Sequence, residues 1–228
     1  MVVDFKKMIH YHGTPITPRH QLMLMAGRHF CVSHAEPRDL EVCLNIGQSL
    51  MLDNGAFSAF TRGKPIKPDE YIQWLEPILQ HPHWAIIPDV IDGTVDQQRD
   101  GIKSWPYPKE LSAPVWHLGL SIDYLLELCD TYPKVCLGSS GEFWQVGSPS
   151  WRKRMDDVFD VLSRRKFMPW IHGLRMLCQT DWPLASADST NVARNYKQVA
   201  SSPEQMAGRI DAIQPLRKHV KNNQMELI

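Results

Sequence analysis

At 228 residues, with 43% apolar and 22% charged side chains, the chain has globular composition, and no apolar run approaches the roughly 18 residues needed to cross a bilayer. Lysine plus arginine equals aspartate plus glutamate at 25 each, which excludes a global field pulling the protein onto a polyanion and makes any nucleic-acid contact local. Five widely spaced cysteines (Cys31, Cys43, Cys129, Cys136 and Cys178) without a CxxC pair argue against a disulfide framework or a zinc knuckle, and with no signal-peptide-like stretch at the start a reducing cytoplasm is expected.

The first β-rich runs are "MIHYH" (8–12), "HFCVSH" (29–34) and "SLMLD" (49–53). "PDEYIQWLEPILQ" (68–80) spaces apolar residues three and four apart and predicts a helix before the run "WAIIPDV" (84–90). "PVWHL" (114–118) precedes a helical "SIDYLLELCDTY" (121–132), and "KVCLGS" (134–139) precedes a helical "WRKRMDDVFDVLSRR" (151–165). "PWIHGL" (169–174) and "LASAD" (184–188) complete eight strand-like runs. The closing "SPEQMAGRIDAIQPLRKHV" (202–220) opens on a Ser cap with Glu204 in its first turn, a helix start. The basic stretches 151–166 and 217–223 read first as solvated helix faces and second as local phosphate contacts.

Eight alternations of strand and helix imply parallel strands joined by right-handed crossovers. The predicted fold is therefore an α/β (β/α)8 TIM-like barrel forming a single domain over 1–228, with an open doubly wound sheet as the competitor. Catalytic residues of such barrels sit where strands end. The ends here are His12, His34, Asp53 with Asn54, Asp89 with Asp92, His117, Ser139 with Ser140, His172 and Asp188. One polar ending is usually a satisfied core residue; eight converging on one mouth predict a functional pocket, because each burial costs free energy unless partnered. Two carboxylates on separate strands, Asp53 and Asp188, support a division of labour between nucleophile and proton carrier. Gly55, beside Asn54 in an Asn-Gly turn, lets a flat ligand or the backbone come close.

These segments resemble the guanine transglycosylases, which exchange guanine for a 7-deazaguanine base in tRNA or, in a bacterial and phage branch, in DNA. "LDNGAFSAF" (52–60) is similar to that family's DSGGFQ signature, and "IIPDVID" (86–92) to its base-recognising aspartate strand. "LGSSGEF" (137–143) is similar to its GGLAVGE turn, "HGLR" (172–175) to a Gly-containing strand end, and "ADSTNVARN" (187–195) to the stretch from FDC to ARN. The order holds from about residue 49 to 195.

The resemblance implies Asp188 as the nucleophile on the sugar C1′ and Asp53 as general acid/base. It implies Asp89 as acceptor for the amide and amino edge of the base, with Gly138, Ser139, Ser140 and Gly141 at the opposite edge. His117 stands where the family often has a base-reading Gln, and Asn54, Gly55 and His172 line the same pocket. Ser189, Thr190 and Asn191 are expected to hold the Asp188 carboxylate, and Arg194 to reach a phosphate. Phe57, Phe60, Phe143 and Trp144 are candidates to sandwich an unstacked base. Neither a metal nor a redox cofactor is implied. The implied partners are DNA, or alternatively tRNA, a free 7-deazaguanine base such as preQ0, and accessory proteins, in the cytoplasm of a bacterial or phage-infected cell and away from any membrane. The tRNA enzymes carry a clustered Cys/His zinc subdomain; the sequence has no such cluster, which favours DNA.

Three other readings remain open. His10 and His12, His117 and Asp188 also resemble the ligand order of metal-dependent amidohydrolases, and imidazole with carboxylate suits zinc. A nucleic-acid-binding module without chemistry, or a glycosidase using the same two acids, would equally use a polar mouth.

Overall fold

The computed structural model describes residues 8–63, 67–177, 179–199 and 202–215. Along them run β1 (Ile9–Gly13), β2 (His29–Ser33), β3 (Ser49–Asp53), β4 (Trp84–Ile86), β5 (Ser112–Ala113), β6 (Val115–His117), β7 (Lys134–Gly138), β8 (Trp170–Gly173) and β9 (Ser186–Ser189). All pairings are parallel, in the order β5-β4-β3-β2-β1-β9-β8-β7-β6. The two edges, β5 and β6, are separated in sequence by Pro114 alone, so the nine strands curl into a nearly closed barrel. Proline has no N–H for the ladder. The Pro114 carbonyl accepts instead from Cys136 N on β7 at 2.9 Å, and this is where the chain passes from pairing β4 to pairing β7.

Around the strands lie α1 (Arg19–Met23), α2 (Leu40–Ile46), α3 (Ala56–Arg62), α4 (Pro68–Leu75), α5 (Val95–Lys103), α6 (Ile122–Thr131), α7 (Pro149–Leu162), α8 (Asn191–Val199) and α9 (Pro203–Asp211). Their starts follow local chemistry. Thr94 and Gln97 form a reciprocal capping box on α5, and Ser121, Ser148 and Ser202 cap α6, α7 and α9. Proline opens α4, α7 and α9, where the missing N–H costs nothing. The helical stretch from 68 ends at Leu75; Glu76 still has right-handed helical angles, and the ladder stops at Pro77, which has no N–H to continue it. The closing helix is described only to Asp211, and 216–220 of that stretch, with the basic run 217–223, lie outside the described residues.

Alternation along each strand sorts the core into an inner layer and an outer shell. Tyr11, Met51, Trp84, Ile86, Ala113, Val115 and Cys136 pack inside the barrel. Cys31 packs against this layer, and the residues flanking it, Met51 and Cys136 (Phe30, Val32, Leu50, Leu52, Val135 and Leu137) face the helices. The floor is aromatic and hydrogen bonded: Trp84 Nε1 donates to Tyr11 Oη at 2.9 Å, and the Tyr11 and Trp84 rings stand 5.9 and 5.2 Å from that of His172. Among the described residues no helix is long and apolar enough to cross a membrane.

Candidate active site

Three carboxylates meet above this floor, at the C-terminal end of the barrel. Asp53 closes β3 beside Ser33, its register partner on β2, whose hydroxyl bonds to it. Gly55 N donates to Asp53 Oδ2 at 3.1 Å across a turn that needs φ of 78°, and a Cβ at Gly55 would stand 3.0 Å from Ala35 Cβ; glycine satisfies both demands. Burial dominates the electrostatics of Asp53, and the charges of Asp188 and Asp89 add repulsion that Ser33 and Gly55 only partly offset. Its carboxyl is pushed from the ordinary 3.8 up to about 6.

Asp188 lies on β9 in register with Tyr11, so its side chain points into the barrel. It is 8% exposed, enough to face the mouth. Its Oδ1 accepts from the backbone N–H of Arg175 at 2.9 Å and lies 3.2 Å from His172 Nε2. His172 Nδ1 is 2.8 Å from Ser186 Oγ; with the Nε2 proton donated to Asp188, the serine hydroxyl donates to Nδ1. The Cys31 and Cys136 thiols beneath the acids are held well above their ordinary range by burial, reinforced by Asp188 and Asp53, so neither supplies a thiolate nucleophile at neutral pH.

Asp89 follows β4 and is clamped on both oxygens. Asn54 Nδ2 donates to Oδ1 at 2.9 Å and also to the Ile87 carbonyl, while its own Oδ1 accepts from Ala56 N. His117 Nε2, at 2.8 Å, donates to Asp89 Oδ2, and Ser140 Oγ meets His117 Nδ1 at 3.2 Å. A Cβ at Gly138 would stand 3.0 Å from His117 Nδ1, so the glycine makes room for the ring. The result is one continuous wall, Asn54–Asp89–His117–Ser140, along one side of the mouth.

A residue that sequence reasoning passed over roofs the site. Arg175, with φ of 57° in the left-handed region, holds Asp188 through its N–H while its side chain crosses the mouth. The guanidinium carbon lies 3.8 Å from the centroid of the Phe57 ring, and Nη2 donates to the Ser139 carbonyl at 3.3 Å. Its burial works against the charge, while Asp188 and Asp53 support it. The signal available was an arginine two residues past the strand ending at Gly173.

Several expectations are corrected. Asp188 is not held by Ser189, Thr190 and Asn191: Ser189 Oγ accepts from Asn191 N, Asn191 Oδ1 accepts from Asn195 Nδ2, and the Thr190 methyl packs toward Gly13. Side chains at 189 and 191 serve the start of α8 instead. His172 is fully buried under Asp188 and orients that acid without lining the mouth, and Asn54 is wholly engaged in the wall. Phe143 packs partly into the outer core, whereas Phe57, Phe60 and Trp144 are 47, 56 and 70% exposed. Gly141 adopts φ of 54° at the turn after β7, next to Asp92, and Arg194 is exposed on α8. In the basic stretch 151–166, Arg152 pairs with Asp181, Arg165 with Asp130, and Arg154 donates to the Leu118 and Leu120 carbonyls.

The strand-end histidines divide by parity. Tyr11 faces inward, so His10 and His12 face outward: His12 Nε2 pairs with Asp211 of α9 at 3.0 Å and His10 Nε2 meets the Ile213 carbonyl at 3.0 Å. His34 packs against Tyr71 and Trp74. The amidohydrolase-like set is therefore split by the barrel wall, His10 and His12 on one side, His117 and Asp188 on the other. No group of three or more His, Cys, Asp or Glu among the described residues is arranged to hold a metal ion. A recess of about 350 Å³ lined by residues including Cys129, Tyr132, Arg165 and Phe167 opens at the opposite end, where β7 and β8 begin, far from the three acids.

Fold and site together define a parallel α/β barrel with a carboxylate-lined C-terminal mouth. No family model, curated protein or solved structure matches the chain.

Proposed function

We propose that the protein is a base-exchange transglycosylase that replaces guanine in DNA with a 7-deazaguanine base through a covalent glycosyl-aspartate intermediate. The fold reading that accompanies it counts Ser112–Ala113 and Val115–His117 as one strand interrupted at Pro114, giving a (β/α)8 barrel. The observation that carries the proposal is the meeting of Asp53 and Asp188, from β3 and β9, over one barrel mouth, close enough for the charge of Asp188 to act on Asp53, with the environment of Asp53 favouring its protonated form.

In the first step Asp188, oriented by His172 and the Arg175 N–H, attacks C1′ as the C1′–N9 bond breaks. Asp53 gives its proton to the departing guanine. In the second step the incoming base attacks C1′, Asp53 takes back a proton from it, and the aspartyl ester breaks to restore the Asp188 carboxylate. Two displacements retain the configuration at C1′. A carboxyl titrating near 6 is suited to both halves, because an acid/base works best when its pKa lies near the working pH. Asp89, already held by Asn54 and His117, has lone pairs left for the amide and amino protons of the base. The mouth reaches a duplex guanine only after the base is unstacked, and the exposed Phe60 and Trp144 offer faces to replace that stacking, while Phe57 already carries the Arg175 guanidinium.

The test is incubation of the protein with labelled guanine or 7-cyano-7-deazaguanine and either DNA or tRNA, followed by nucleoside mass spectrometry. Label in DNA nucleosides supports the reading, label in tRNA alone changes the polymer, and label in neither refutes base exchange.

A further inference from the structure

Resting on the base-exchange reading, we infer that Arg175 is a specificity-determining residue that reads the 6-oxo group and the 7-position of the purine with its guanidinium fork. Three features of the mouth lead there. The first is the order of groups along the wall. Asn54, Asp89, His117 and Ser140 are joined one to the next by hydrogen bonds, and the carbonyl of the neighbouring Ser139 holds the Arg175 guanidinium. A guanine that places its N1 and amino protons on Asp89 has its O6 and then its 7-position further along the same side, toward Ser139 and Arg175.

The second feature is the supply of donors. His117 stands where a base-reading side chain was expected, yet both of its ring nitrogens are spent, one on Asp89 and one on Ser140. It has no N–H left for O6. Arg175 has five N–H donors, of which the described residues take one, for the Ser139 carbonyl. Among the described residues Arg175 makes no ion pair, and its guanidinium rests over the Phe57 ring.

The third feature is the support beneath the fork. The guanidinium carbon stands over the Phe57 ring, 3.8 Å from its centroid, a cation–π contact that steadies the arginine. The left-handed backbone at Arg175 aims the side chain across the mouth while leaving the N–H on Asp188, so one residue links the reading of the base to the setting of the nucleophile.

Arginine pairs bidentately with the O6 and N7 of guanine because its fork matches two adjacent acceptors. A 7-cyano-7-deazaguanine replaces N7 with a carbon but carries a nitrile nitrogen as acceptor further out. Plain 7-deazaguanine has a C–H there and leaves one N–H of the fork unpaired. The protein is thus expected to favour guanine and the 7-cyano base over plain 7-deazaguanine.

The experiment measures incorporation of the three free bases, isotopically labelled, into DNA by the wild-type chain and by the Arg175→Gln and Arg175→Lys variants. KM and kcat are determined separately, and folding is checked by circular dichroism. Wild type should show a KM about tenfold higher for plain 7-deazaguanine than for the other two, the loss expected when one arm of a bidentate contact is removed. Arg175→Gln should bring the three KM values together by raising those for guanine and the 7-cyano base. Arg175→Lys, which keeps the charge without the fork, should fall between. Equal KM values in wild type, or an unchanged preference in folded Arg175→Gln, overturn the assignment while leaving base exchange intact. Failure of wild type to incorporate any base into DNA or tRNA refutes base exchange itself, and the assignment with it.

Discussion

Replacing Asp53 with Asn should make the protein more stable and inactive at once, and the gain should depend on pH in a defined direction. In the folded chain burial, helped by Asp188 and Asp89, pushes the Asp53 carboxyl from 3.8 up to about 6. The folded state therefore binds the Asp53 proton more tightly than the unfolded state, and stability falls as pH rises between about 4 and 6. Below about 4 the acid is neutral in both states and costs nothing; above about 6 it is ionised in both, and the folded state bears the full penalty. A shift of about 2 units corresponds to roughly 3 kcal/mol at about 1.4 kcal/mol per unit, and the partial exposure of Asp53 reduces this to about 2 kcal/mol. The Asn side chain can still accept from Gly55 N, so little is lost in exchange. For a chain of this size about 2 kcal/mol raises the melting temperature by roughly 4–8 °C. Thermal unfolding of wild type and Asp53→Asn from pH 4 to 8 gives the difference directly, because titrations common to both cancel. It should grow from near zero at pH 4 to its full value by pH 7. A flat difference, or a variant less stable than wild type at pH 8, would refute the account of a penalised carboxylate.

Asp188→Asn should keep its fold, since an amide can still accept from the Arg175 N–H, but should lower base exchange by at least about a thousandfold and leave no glycosyl adduct detectable by intact-protein mass spectrometry. His117→Ala removes one of the two groups clamping Asp89 and should raise KM for the incoming base about tenfold with a smaller effect on kcat, at a stability cost of about 1–3 kcal/mol measured by urea unfolding. Asp211→Asn acts outside the barrel wall. Burial raises the Asp211 carboxyl, but His12 and Arg28 outweigh it and hold the group below its ordinary value. Its stabilisation is thus present above about pH 4 and fades as pH falls further. The variant should be less stable by about 1–3 kcal/mol at pH 7 in urea unfolding, with a deficit that narrows in acid.

Strand positions were legible because buried parallel strands are short, β-branched and punctuated by Pro, Gly or a helix cap. "SLMLD" matches β3 residue for residue, and "PWIHGL" contains β8. The interruption at Pro114 was less legible: "PVWHL" reads as a strand that begins at the proline, whereas Ser112 and Ala113 before it pair with β4. Nothing local distinguishes a proline that starts a strand from one at which a strand changes partner. Asp53, Asp89 and Asp188 were found because a carboxylate closing an apolar run lacks a packing reason. Ser33 and His34 show the opposite case. Inward and outward faces alternate in "HFCVSH", so the inward polar residue is Ser33, yet the more reactive side chain of His34 drew attention at the strand end.

The same parity argument explains why histidines at the end of β1 serve stability while histidines at the ends of β6 and β8 serve the site. Tyr11 occupies the inward position of β1 and builds the floor with Trp84 and His172, which turns His10 and His12 toward α9. There His12 and Arg28 share Asp211, tying the last described helix to the outside of the strand that pairs with β9. Inside, His172 takes the place a metal-ligand reading gave to the β1 pair, and its proton goes to Asp188. A histidine ligand needs a ring nitrogen free for the metal. Both nitrogens of His172 are engaged, by Asp188 and Ser186, as are both of His117, by Asp89 and Ser140. The imidazoles of this mouth therefore stand as struts between polar groups, each fixing the direction of one carboxylate.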